Sequence, residues 1–340
     1  MRDFIEIDGG IGEGGGQILR TSIVLSAITK TPLRIFNIRI KRRNPGLGIQ
    51  HVKAVEAISK ICSGKIGGVF KGSKEIWFEP GPIKGGNYVF DTGTAASATL
   101  IFQVLFLPLS LCKEKSTVRI IGGTHNPMAP PFEFLSKAYI SLLNKIGFKG
   151  NLTISRMGFY PKGGGIIQGE IEPVDSLQRL ELTEKGRLKK LKAISIISSL
   201  PKHIAEREIN VSKKILGNIT ETEIIEEKKP IGPGNAFILI AECENITEVF
   251  TCIGKIGLRA EKVASTACRE FKEWIKSKAA VCKYLTDQII LPMALLKGGT
   301  FTCLPPTSHT KTNIEIIKKF LDVNINIKNI NGNTFECSIY

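Results

Sequence analysis

The chain has 340 residues, 42% of them apolar and 23% charged, with a formal charge of +16. This composition excludes disorder and collagen-like repeats, and the length allows one large or two moderate domains. The positive surplus points to polyanionic partners (nucleic acid, nucleotides or acidic membrane), and it is concentrated: residues 31–74 hold ten Lys/Arg and one acid.

The N-terminus carries Asp3, Glu6 and Asp8 and no apolar run, so no signal peptide is expected. Residues 4–7 alternate like a strand. A Gly-rich turn follows, then an apolar helix over 16–28, a strand over 32–38, an amphipathic helix over 51–62, and strands near 66–70 and 75–79. The same order returns as a strand at 88–90, an apolar helix at 94–107, a strand at 117–121, a helix at 130–146, and strands at 152–155 and 166–171. It returns again near the C-terminus, with helix 280–296, strand 300–303, helix 312–321, and strands 323–327 and 334–339. Each unit reads β-α-β-α-β-β and lacks a core of its own, so three stacked units would bury one another's helices. Residues 184–276 are more charged and carry their own strands and helices. The expected α/β (α+β) fold is a large domain of three stacked units, residues 1–183 and 277–340, with a smaller α/β domain inserted at 184–276. Residues 92–112 carry no charge over 21 positions. Their small polar first half, with Gln103 and Pro108, favours a buried helix over a membrane span. The eight cysteines show neither C-x-x-C nor zinc-finger spacing, so reduced thiols in a cytoplasmic protein are expected.

Four motifs carry chemistry. Gly9-Gly-Ile-Gly-Glu-Gly-Gly-Gly-Gln17 lies at a strand-to-helix turn, where backbone N–H groups can cradle a phosphate. It lacks the acid that a dinucleotide fold needs about 20 residues on, and it lacks a P-loop Gly-Lys-Ser/Thr. Glu13 would repel a phosphate unless a divalent cation lay between them. Arg20, one turn into the helix, could face the same anion; a turn needed only for tight packing is the alternative. Arg39-Ile-Lys-Arg-Arg-Asn-Pro-Gly-Leu-Gly-Ile-Gln-His51 is either a phosphate-gripping loop or a solvated basic one. Gly122-Gly-Thr-His-Asn-Pro-Met-Ala-Pro-Pro-Phe-Glu-Phe134 is either a flat surface for a base or a turn with a core Phe. Pro305-Pro-Thr-Ser-His-Thr-Lys-Thr-Asn313 marks a helix start and sets His309 there, where a neutral imidazole could attack phosphorus. His51 and His125 lie in these loops and could touch ligand, whereas His203 reads as surface.

Together these motifs resemble the RNA 3′-terminal phosphate cyclase family over essentially the whole chain. Gly158-Phe-Tyr-Pro-Lys-Gly-Gly-Gly165, His203-Ile-Ala-Glu-Arg-Glu208, Gly232-Pro-Gly-Asn235 and Leu285-Thr-Asp-Gln-Ile-Ile-Leu-Pro-Met-Ala294 add to the likeness. The resemblance implies ATP-dependent conversion of an RNA 3′-phosphate to a 2′,3′-cyclic phosphate, through a histidyl-AMP on His309 and an RNA-adenylate. It implies a catalytic set of His309, Asp287, Arg20, Arg39 and Arg42. Arg20, Arg39, Arg42 and Gln50 would hold the RNA and ATP phosphates, Glu13 the metal (Mg²⁺ or Mn²⁺) or the nucleotide phosphates, and Asp287 and Gln288 would belong to the ATP-binding set. Gln103 would contact ribose, Pro130 and Phe134 would sandwich adenine, and Asp287 and Gln288 would stand near the histidine, with Asp287 holding the imidazole tautomer. Ile49 stands where the family usually has a basic residue, His125 where it often has Asp, and Ser308 where it often has Cys.

Two other readings compete. One is a non-catalytic RNA-binding relative used in ribosome assembly, which would lack the nucleophilic histidine. The other is an enolpyruvyl-transferase-like enzyme, which would leave Ser308-His309 unexplained.

Overall fold

Residues 4–296 and 298–340 are described by the structure, a computed structural model. Strand alternation builds the first sheet. β1 (Ile5–Asp8), β2 (Leu33–Phe36), β3 (Lys65–Gly67) and β4 (Ile76–Glu79) lie in the order β1-β2-β4-β3. β1 and β2 are parallel, with Ile7 opposite Ile35; β2 and β4 are antiparallel, with Leu33 opposite Phe78. Ile7, Leu33, Ile35, Ile76 and Phe78 are buried, as a period of two requires of one face. On the other face, which also carries Trp77 (40% exposed), Arg34 reaches Glu6 at 2.9 Å and Glu75 at 2.7 Å. Helices α1 (Gly16–Thr29) and α2 (Ile49–Cys62) connect the strands.

The second unit repeats this plan. β5 (Gly86–Asp91), β6 (Ser116–Gly122), β7 (Lys149–Arg156) and β8 (Gly165–Glu172) pair in the order β5-β6-β8-β7. Its first helix, α3 (Ala98–Ser110), is buried at every position except Gln103, which explains the charge-free stretch. No helix among the described residues is long and apolar enough to cross a membrane. Residues 94–97, expected to be helical, form a turn whose Ser97 caps α3 through Leu100 N at 3.2 Å. The second helix starts as a π-helical segment, Phe134–Tyr139, that runs into α4 (Ile140–Lys145).

The third unit opens with a strand that the sequence pattern did not show, β9 (Leu180–Leu182). The chain then leaves this sheet and builds a fourth one from β10 (Leu188–Ser198), β11 (Glu221–Glu226), β12 (Gly234–Cys243) and β13 (Thr247–Ile253), with helices α5 (Lys202–Leu216) and α6 (Ala260–Lys276). It returns through α7 (Lys283–Leu295), β14 (Gly299–Cys303), α8 (Ser308–Phe320), β15 (Ile325–Asn331) and β16 (Thr334–Ile339), and β14 pairs in parallel with β9. The excursion starts and finishes at one hydroxyl. Thr302 Oγ1 donates to Thr183 O at 2.7 Å and accepts from Ala280 N at 2.9 Å. All eight cysteines are free.

The helices of the three units pack on one another in a ring. The first helix of each unit packs on the second helix of a neighbouring unit: α1 on α8, α3 on α2, and α7 on the π-helical segment. In this α/β architecture, the loops leaving β1 and β2 and the start of α8 meet at one end of that ring.

Candidate active site

The Gly-rich loop between β1 and α1 is shaped by what lies against it. Gly12 has φ +49°, and a Cβ there would fall 2.1 Å from Thr312 Oγ1, so only glycine lets α8 approach this closely. The same hydroxyl accepts from Glu13 N at 3.2 Å. At Gly16 a Cβ would meet His51 Nε2 at 2.3 Å. The glycines therefore admit side chains from two other helices.

Glu13 is the centre of the arrangement, its side chain only 4% exposed. One carboxylate oxygen pairs with the Arg42 guanidinium. That guanidinium also donates to Glu13 O at 3.0 Å and Gly14 O at 3.4 Å. Arg42 thus clamps the loop as well as facing solvent. The other oxygen, Oε1, has no hydrogen-bond partner among the described residues. It lies 3.6 Å from His309 Nδ1, too far for a hydrogen bond but close enough to orient the ring. His309 is the second residue of α8 and its side chain is 45% exposed.

Near this pair two guanidiniums and a buried imidazole converge. Arg20, half-buried, donates to Gln17 Oε1 at 2.7 Å, and burial lowers its guanidinium to about 10. Arg39, in a left-handed conformation (φ +53°), donates to Gly46 O at 2.7 Å. Burial and the Arg42 charge lower its guanidinium too. His51 is buried; its Nδ1 accepts from Gly48 N at 2.9 Å, which leaves the ring proton on Nε2. Burial, then the charges of Arg20 and Arg39, push His51 down to about 3. It is therefore a neutral N–H donor close to two guanidiniums. Gln50 is half-buried next to it in the first turn of α2. The His51 ring is expected to stay neutral from pH 8 down to about pH 5. In an NMR titration of its ring protons, a midpoint near the ordinary histidine value of about 6.5 would contradict the placement.

A chain of hydrogen bonds joins this cluster to the start of α8. Gln17 Nε2 donates to Thr21 Oγ1 (3.2 Å), Thr21 Oγ1 to Asn313 Oδ1 (2.9 Å), and Asn313 Nδ2 to Asp287 O (3.0 Å). Asp287, buried, accepts from Thr307 Oγ1 at 2.8 Å and from the Thr310 hydroxyl. Thr307 and Thr310 form the capping box of α8. Burial raises the Asp287 carboxyl, and the two hydroxyls and the nearby His309 oppose that. The expectation that Asp287 holds the imidazole meets a different geometry: its hydrogen bonds fix the helix start, and Glu13 is the carboxylate at the ring's Nδ1. Thr21, Thr307, Thr310 and Asn313 were missed as site residues, although a hydroxyl-rich stretch before an apolar helix signals such caps.

From the second unit, Gln103 Nε2 donates to Gln288 Oε1 at 2.8 Å. The two line a cavity of about 40 Å³ with Arg20, Tyr139 and Asp287. Pro130 is half-buried, but Phe134 is only 4% exposed and belongs to the core. Tyr284 is 45% exposed, but its hydroxyl donates to Glu270 Oε1 of α6 at 3.1 Å and Lys283 Nζ lies over its ring. It stands three and four residues before Asp287 and Gln288, hence on their helix face. His125 is fully buried between Thr124 Oγ1 (2.8 Å) and Glu133 Oε2 (2.9 Å) and stacks on Phe159. It ties the turn together and offers nothing to a ligand. His203 is exposed on α5.

The comparisons with known proteins agree on a single family. The family described as RNA 3′-terminal phosphate cyclase matches residues 11–327. The chain is 45% identical to the RNA 3′-terminal phosphate cyclase of Koribacter versatilis, over 96% of this chain and 92% of that protein. It is 43% identical to the proteins of that name from Ectopseudomonas mendocina and Pseudomonas fluorescens, in both cases over 95% of this chain and 94% of the relative.

Proposed function

The chain belongs to the RNA 3′-terminal phosphate cyclase family and is an enzyme of that type, and we propose that it works by covalent nucleotidyl transfer from ATP through His309. The carrying observation is the approach of the buried Glu13 Oε1 to His309 Nδ1, 3.6 Å away. The imidazole is 45% exposed, and the Arg20 and Arg39 guanidiniums lie close enough to the same Glu13 to feel its charge.

In this reading the Nε2 lone pair attacks the α-phosphorus of ATP. A P–N bond forms, the α–β anhydride bond breaks, and pyrophosphate leaves. An oxygen of the RNA 3′-phosphate then attacks that phosphorus and breaks the P–N bond, which gives an RNA-adenylate. The adjacent 2′-oxygen attacks the activated 3′-phosphorus, loses its proton, and expels AMP. Arg20, Arg39 and His51, with Gln50, hold the entering phosphate. Arg42 keeps the glycine loop and Glu13 in place. Gln103, Gln288 and Pro130 would line the nucleoside, while Phe134 lies in the core behind them.

The orphaned Glu13 Oε1 fits a divalent cation, Mg²⁺ or Mn²⁺. The described residues hold no cluster of three or more metal-ligating side chains, so ATP phosphates would complete its shell. When bound, such an ion neutralises charge at the transferring phosphoryl group.

The test incubates the protein with α-labelled ATP and Mg²⁺, without RNA. An acid-labile, alkali-stable label is expected, and it should be discharged as AMP when 3′-phosphorylated RNA is added. A protein that binds this RNA but takes up no label would overturn covalent transfer and favour a purely RNA-binding role.

A further inference from the structure

The basic segment has more charge than the proposed phosphate-holding set uses. Two of its loops are zipped together by the backbone: Ile38 N donates to Lys74 O (3.0 Å), Leu47 N to Ser73 O (2.9 Å), and Gly72 N to Leu47 O (2.7 Å). One is the loop bearing Arg39 and Arg42. The other is the turn between β3 and β4. Because β4 runs antiparallel to β2, and β3 to β4, that turn emerges at the end of the sheet where the glycine loop and Arg39–Arg42 lie. At its tip Phe70 is 63% exposed, whereas the preceding Val69 packs against the core. Lys41, Arg43, Lys71 and Lys74 are exposed around it, and no ion pair engages them among the described residues. Three further cations of the segment are occupied: Arg34 with Glu6 and Glu75, Lys53 with Glu56, and Lys60 over Phe90.

An aromatic ring held in water on an unneutralised basic surface costs solubility unless something stacks on it. The charge complements a polyanion, and the ring complements a base. We propose that Phe70 is a stacking platform for a base of single-stranded RNA upstream of the reacting 3′ end, and that Lys41, Arg43, Lys71 and Lys74 track the intervening phosphates. The proposal rests on the cyclase reading, since it takes the strand end to be anchored at Arg20, Arg39 and His51. Stacking on Phe70 is blind to base identity. It gives the enzyme a preference for an end that is unpaired for several nucleotides, without a preference for sequence.

Phe70→Ala is expected to raise KM for a 3′-phosphorylated oligoribonucleotide about tenfold, the loss of one stacked base, with kcat at saturating RNA within about twofold. Phe70→Trp should restore KM. A nucleoside 3′-phosphate has no upstream base and should show no difference between the variants. Binding is read separately by moving 2-aminopurine along the strand. Quenching is expected at one upstream position in the native protein and lost in the alanine variant. Equal KM values, an equal loss with the mononucleotide, or no quenching at any position would overturn the platform. Failure of the native protein to cyclise any RNA, with quenching intact, would instead sink the cyclase reading and leave Phe70 a base-stacking residue.

Discussion

Replacing His309 by alanine is expected to remove the protein–AMP adduct and to lower RNA cyclisation by on the order of 10⁴-fold or more, as loss of a covalent nucleophile does. The fold should survive. The start of α8 is held by Thr307, Thr310 and Asp287, not by the imidazole, which is 45% exposed. A change at such a position usually alters stability by less than about 0.5 kcal/mol, so the thermal midpoint should stay within a few degrees of the native value. Incubation with α-labelled ATP and denaturing electrophoresis reads the adduct directly. An alanine variant that still takes up acid-labile label would move the nucleophile elsewhere.

Glu13→Gln should be nearly as damaging without touching the nucleophile. Glutamine keeps the shape and one oxygen but loses the charge. Three features converge on that charge: the Arg42 clamp, the Nδ1 side of His309, and the unpartnered Oε1 that suits a cation. At 4% exposure, solvent cannot replace it. Single-turnover labelling at saturating ATP is expected to fall at least about a hundredfold, the lower end for a positioned acid–base partner. The loop itself should hold, because Glu13 N still has Thr312 and the loop carbonyls still have Arg42. Labelling within threefold of native would remove Glu13 from the chemistry. A collapse of the thermal midpoint would make it a structural residue.

Glu13 and His309 each stand in a motif that the sequence displays, but their contact is a product of the fold. The three-unit plan is legible in the sequence because each unit writes its helices and most strands as apolar runs of the right period. β9 is not, since Leu180-Glu-Leu182 is too short to display a period. Each motif can be seen as a turn beside a helix, but their mutual placement cannot. Glu13 and Thr312 are 299 positions apart, and only the packing of α8 on α1 brings them together. The resemblance pairs the imidazole with Asp287, while the fold turns Asp287 onto two threonines and sets Glu13 at the ring. His125 and Phe134 look available because turns are usually exposed. Here the turn is pinned by the buried His125–Glu133 contact, and Phe134 closes the core behind it.

The meeting of Thr183 and Ala280 at the Thr302 hydroxyl has a consequence for how the chain reaches its final shape. Joining β9 to β14 closes a loop of roughly a hundred residues, and an unstructured loop of that length would cost about 4 kcal/mol in chain entropy beyond a constant term. The excursion has its own four-stranded sheet and two helices, and once folded it delivers its ends side by side. If it folds during synthesis, before α7 emerges, the third unit assembles as though β9 and α7 were neighbours in sequence. The ring can then close by short-range steps despite its long-range topology.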